Sequence, residues 1–176
     1  VPRRRQEAYQ WLSDHTPKGS VVAVLSPETN RELPLHTHNK IYVPHGLLTL
    51  ASDEEIWERF FFVNALYGVD TAEFRKRLED TDTAYYLFEA RYDSKEFNSA
   101  FRGSAWQFPQ SVIDEKSRLY EAYQVSGNIV PGFRIDYAYA DERNGVSGSF
   151  FDTVPWLEKV YERDGVVMYR VDHLGL

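Results

Sequence analysis

Five consecutive apolar residues, Val21-Val22-Ala23-Val24-Leu25, lie between Gly19-Ser20 and Ser26-Pro27. The run is too short for a stable helix, mostly β-branched, and apolar at every position rather than at alternate ones. It therefore reads as a central strand that must be covered on both faces. A chain that contains such a strand needs other strands beside it and helices above and below.

Further strands are predicted at Ile41-Tyr42-Val43, closed by Pro44-His45-Gly46, at Ala84-Tyr85-Tyr86-Leu87-Phe88, and at Ile135-Asp136-Tyr137-Ala138-Tyr139-Ala140. Leu157 to Tyr161 and Gly165 to Val171 read as a closing hairpin with Asp164-Gly165 at its turn. Helices are expected over Arg4 to Ser13, after Ser52 with Glu55 as a capping box, and after Asp70 through Phe74 and Leu78. Pro27 to Pro34 reads as a polar, turn-rich loop, 94–127 as an irregular helical insertion broken by Gly103 and Pro109, and Val154 to Leu157 as a short helix. The expected fold is α/β: a mainly parallel sheet with flanking helices, Rossmann-like and three-layered, ending in an antiparallel hairpin.

At 176 residues the chain suits one domain, 1–176, and its 43% hydrophobic content supports a sizeable core. A net charge of -7, with Arg3-Arg4-Arg5 as a dense basic cluster near the first residue, argues against a nucleic-acid partner. Those arginines read as a solvated helix start or a juxtamembrane flank. The lack of cysteine removes disulfides, thiolate metal sites and cysteine nucleophiles. No apolar run reaches the roughly 20 residues of a membrane-spanning helix, and the start at Val1 suggests a processed or excised piece of a longer chain.

Candidate chemistry is sparse. His36, His38 and His45 are the weak metal candidates, without a recognised ligand spacing. The first strand leads into Ser26-Pro27-Glu28-Thr29 instead of a glycine-rich loop, so no nucleotide cofactor is expected, and no Gly-x-Ser-x-Gly elbow is present. Ligands in open parallel sheets gather where strands end at their carboxyl edge. That rule makes His45, Gly46, Glu89, Arg91, Asp141 and Arg143 the candidate binding rim, with no catalytic residue assigned. The aromatics Phe97, Phe101, Trp106 and Phe108 are expected in core packing, with sugar stacking or partner docking as the alternative.

Four segments carry a family resemblance: Ala8-Tyr9-Gln10-Trp11-Leu12 with His15-Thr16-Pro17, Ser20 to Val24, Asn39 to Gly46, and Ile135 to Tyr139 together with the terminal hairpin. In these the chain resembles the soluble C-terminal domain that follows the last membrane helix of polytopic, GT-C-like membrane glycosyltransferases. The resemblance implies an accessory domain that helps recognise an acceptor or a lipid-linked donor, with the catalytic carboxylate in the membrane portion. It also implies two partners, the upstream transmembrane portion of the same protein and a sugar or lipid-linked sugar, at the extracytoplasmic face. Arg3-Arg4-Arg5 beside a final membrane helix would favour the cytoplasmic side, which is the alternative. Two other readings stay open: a free-standing small-molecule binding domain or small enzyme using the strand-end rim, and a structural protein-interaction domain.

Overall fold

The computed structural model describes residues 1–88, 107–126, 131–144 and 148–172. The chain divides into two compact units, the first comprising Val1–Val43, Leu66–Gly68 and Val130–Leu176, the second Pro44–Ala65 and Val69–Ile129. Among the described residues no helix is long and apolar enough to cross a membrane.

The first unit is built on a five-stranded sheet. Helix α1 (Arg3–His15) buries Arg5, Ala8, Tyr9 and Leu12, the positions that share one face at helical spacing. It ends where the Thr16 hydroxyl and backbone N–H both donate to the Leu12 carbonyl. Strand β1 (Val21–Ala23) follows, then helix α2 (Pro27–His36), strand β2 (Lys40–Ile41), and, much later, β3 (Tyr137–Ala140), β4 (Leu157–Arg163) and β5 (Val166–Val171). The strand order is β2-β1-β3-β5-β4. Ala8, Tyr9 and Leu12 of α1 and Leu33 of α2 pack against Val22, Val24, Tyr137, Tyr139, Val166 and Met168 on one face of the sheet. Full burial of a Leu, Val or Met side chain contributes about 1.5–3 kcal/mol, so this cluster is a principal source of the unit's stability. On the other face, Phe151 meets Tyr67 edge-on and Tyr169 at a tilt. The predicted hairpin is present: Asp164 and Gly165 have φ of 50° and 78°, as a type I′ turn requires at both central positions.

The sheet is mixed, which overturns the expected mainly parallel, Rossmann-like arrangement. β1 pairs in parallel with β2 and β3, but β3–β5 and β5–β4 are antiparallel. The expectation counted Ala84 to Phe88 as a further strand, whereas this segment is helical, and the terminal hairpin then supplies two of the five strands. Pro27 to Pro34, expected as a loop, belongs to α2: Ser26 accepts the Thr29 N–H at its hydroxyl, Pro27 sits in the first turn, and Glu28 complements the helix dipole.

The second unit is helical. A 3-10 turn at Gly46–Leu48 precedes α3 (Asp53–Leu66, whose last residue falls in the first unit), α4 (Thr71–Glu79), α5 (Thr81–Phe88) and α6 (Gln110–Val125). Ser52 and Asp70 accept the N–H of Glu55 and Glu73 as expected for caps. Asp80 does the same for Thr83, starting α5, which buries Thr83, Ala84, Tyr86, Leu87 and Phe88. The core is aromatic: Phe74 stacks on Tyr120 with centroids 4.0 Å apart, and Trp57 packs against Phe88 and Phe108. The Tyr120 hydroxyl donates to the Val69 carbonyl at 2.6 Å, tying α6 to the turn before α4. Residues 110–125 of the expected irregular insertion form a regular helix; 94–106 lie outside the described residues.

Candidate functional site

In the first unit, β3 ends at Ala140 and delivers Asp141 to the carboxyl edge of the parallel strands. Asp141 is 3% exposed, so its carboxylate must be compensated inside the protein. Among the donors that meet it are Arg5 Nε at 2.8 Å, the Tyr139 hydroxyl at 3.2 Å and the Arg143 backbone N–H at 3.0 Å. Arg5 comes from the buried face of α1, not from a solvated helix start, and its side chain is only 3% exposed. Its guanidinium also lies 3.6 Å from Glu142 and 4.0 Å from Glu32.

Glu32, on α2, joins the other half of the cluster. One of its oxygens accepts the Tyr9 hydroxyl at 3.2 Å, and the other pairs with Arg143 Nη1 at 3.1 Å. The same Arg143 nitrogen lies 3.1 Å from Glu28 in the first turn of α2. Arg4 pairs with Glu142, and Arg3 with Glu7. Positive and negative groups thus alternate along the edge, Arg143 bridging α2 and the segment after β3.

Burial pushes the Tyr139 hydroxyl well above the ordinary tyrosine range, and the neighbouring Asp141 charge adds to the rise. Tyr9 is raised for the same first reason, with Glu32 adding its charge and its hydrogen bond. Burial alone would weaken the Arg143 proton, but its bond to Glu32 and the charges of Glu32 and Glu28 outweigh that and hold it more firmly. At neutral pH the tyrosines are therefore fixed donors and Arg143 a fixed cation. Such a cluster can orient polar groups; it does not hold a tyrosine proton ready for transfer.

The remaining rim candidates are distributed differently. His45 and Gly46 belong to the second unit, while Asp141 and Arg143 belong to the first. His45 accepts the Leu47 N–H at Nδ1 and meets the Tyr86 ring edge-on at 5.0 Å. A Cβ on Gly46 would come within 2.0 Å of the Leu87 carbonyl oxygen, so only glycine fits against the end of α5. Glu89 and Arg91 lie outside the described residues, as do Phe97, Phe101 and Trp106. Phe108 is buried against Trp57 and Phe88, as expected of a core residue.

His36 stacks flat on Tyr9 at 5.7 Å, and His38 Nε2 lies 3.0 Å from the Thr16 carbonyl oxygen. Among the described residues no group of three or more His, Cys, Asp or Glu side chains is placed to hold a metal ion.

No family model, curated protein or solved structure matches this chain. What the site can do is therefore argued from its own residues. Sequence reasoning placed Asp141 and Arg143 at the strand edge but missed Arg5, Tyr9, Glu32 and Tyr139. The signal for Arg5 was present: positions 5, 8, 9 and 12 share one helix face, and Ala8, Tyr9 and Leu12 already marked that face as buried. Glu32 carried no comparable signal, because α2 itself was read as a loop.

Proposed function

We propose that this chain is an accessory domain of a membrane glycosyltransferase-like protein. In this reading it stands at the extracytoplasmic face and helps to recognise a polar acceptor or lipid-linked donor whose chemistry takes place elsewhere. The observation that carries the reading is the strand-edge cluster around Asp141, whose polar groups are engaged with one another as fixed donors and charges. A preorganised polar edge suits the orientation of hydroxyl or phosphate groups better than it suits proton transfer. The segments that carry the family resemblance support the reading too. Asn39 to Gly46 contains β2 and the glycine seated on α5, and Ile135 to Tyr139 runs into β3 beside Asp141.

Sequencing the gene across the codon for Val1 tests the proposal at its base. The expected result is an upstream frame encoding several hydrophobic spans; a frame without them refutes it. In the full-length protein, Arg143→Ala is then expected to raise the KM for the acceptor or lipid-linked donor while leaving the membrane portion folded. An unchanged KM for both substrates would remove the strand edge from recognition.

A further inference from the structure

The second unit carries a surface that neither the strand-edge cluster nor the family resemblance uses. Within four residues, Leu47, Leu48 and Leu50 are 53%, 83% and 105% exposed. The turn that bears them is anchored rather than loose: Gly46 lies against the Leu87 carbonyl, and His45 accepts the Leu47 N–H while its ring meets Tyr86. Leucines held in water on a fixed turn form an apolar patch of the kind that marks interaction sites. Three residues after Leu50, at most about 11 Å along an extended chain, α3 opens a groove shared with α6. The groove has a volume of about 480 Å³; among the described residues it is lined by Trp57, Phe61, Val112 and Leu119, by the carboxylates of Asp53, Glu54, Glu58 and Glu115, and by one cation, Lys116, which pairs with Glu115 at 3.0 Å. The Lys116 ammonium sits 5.3 Å from the centre of the Trp57 ring, so a cation already occupies the aromatic face inside this acidic wall.

We infer that the leucine turn and the α3–α6 groove form one docking surface for a basic, amphipathic helical segment of a partner protein. Its apolar stripe covers the leucines, and its lysine or arginine side chains enter the carboxylate-walled groove beside Trp57. Charge complementarity selects this occupant. A leucine tip meant for an anionic bilayer is expected to be flanked by Lys and Arg, whereas this tip is followed by Asp53-Glu54-Glu55, which repel anionic headgroups. The inference rests on the second unit alone and stands whether or not the proposed accessory role holds.

The probe is a fluorescein-labelled synthetic helix with Leu and Lys at amphipathic spacing, titrated with the whole chain and followed by anisotropy. A Leu/Glu counterpart and vesicles of anionic phospholipid are run in parallel. Saturable binding of the Leu/Lys helix is expected, with no binding of the Leu/Glu helix or the vesicles. The double variants Leu48→Ser/Leu50→Ser and Glu58→Gln/Glu115→Gln should each weaken it at least tenfold. All four side chains are exposed, so the variants should keep the wild-type melting temperature. Glu158→Gln/Glu162→Gln on β4, in the first unit, should leave binding unchanged. The inference is overturned if the β4 control weakens binding as much as the groove variant, if the vesicles bind instead, or if no probe binds.

Discussion

Asp141→Ala is the substitution whose effect the structure determines most closely. The carboxylate accepts hydrogen bonds from Arg5, Tyr139 and the Arg143 backbone. Its loss leaves the Arg5 guanidinium, in a side chain 3% exposed, with Glu142 at 3.6 Å and Glu32 at 4.0 Å as its remaining charge partners. Breaking a buried pair by removing one partner costs about 3–5 kcal/mol, because the other charge stays buried with less compensation, here only from those two more distant carboxylates. In a protein of this size each kcal/mol moves the melting temperature by about 2–4 °C, so a fall of roughly 6–20 °C is expected. Arg5→Met should cost less, since Asp141 retains the Tyr139 hydroxyl and the Arg143 N–H. The double variant should be more stable than the sum of the single losses predicts, by about 1–3 kcal/mol. Urea denaturation of the four proteins, followed by circular dichroism, measures all three quantities. A loss below about 1 kcal/mol for Asp141→Ala, or strict additivity with Arg5→Met, would refute the argument that this pair is electrostatically coupled in the interior.

Gly46→Ala should destabilise by about 1–3 kcal/mol or more, because the new methyl meets the Leu87 backbone oxygen at 2.0 Å. Gly165→Ala should cost only about 1 kcal/mol, since φ is +78° but nothing lies within 4 Å; thermal melts that rank the two in the opposite order would contradict the packing argument. Alkaline pH should destabilise the chain as well. Tyr9, Tyr67, Tyr120 and Tyr139 are all raised by burial, and Tyr169 is pushed up to about 12 by burial and by Asp152. Because the folded state holds these protons more tightly, the stability they confer is complete below about pH 10 and is lost as pH rises towards the folded values. The loss is up to about 1.4 kcal/mol per pH unit for each buried tyrosine. Absorbance at 295 nm and circular dichroism recorded together from pH 8 to pH 12 should show deferred ionisation coupled to unfolding. Ionisation of all 12 tyrosines near pH 10 with the structure intact would exclude it.

The local rules read well where one element decided the outcome. The Asp164-Gly165 turn, the Ser52 and Asp70 caps and the buried stripe of α1 follow from backbone sterics, orphan N–H groups and helical periodicity within a dozen residues. They failed where a short apolar run was ambiguous. Ala84 to Phe88 is as apolar as a strand and almost wholly buried, which periodicity alone does not resolve; the Asp80 cap on the Thr83 N–H starts it as a helix. The candidate site was half legible for a related reason. Asp141 could be placed by following one strand to its end, but Arg5 reaches it across 136 positions of sequence, and no local pattern encodes such a meeting.

The first unit is discontinuous, and this affects how the chain is made. The Val21 N–H bonds to Asp136, 115 residues downstream, in the register that brings β3 beside β1. A ribosome adding about 5–20 residues per second needs roughly 6–23 s to span that interval. Throughout it the apolar strand from Val21 has β2 on one side and an unpaired edge on the other. The helices of residues 53–88 and 110–125 emerge meanwhile, but Tyr67 must wait for β3 too, since its hydroxyl bonds the Tyr139 carbonyl. The nascent chain is thus most open to misassociation at β1, and a chaperone that binds short β-branched runs would find its natural client there until β3 arrives.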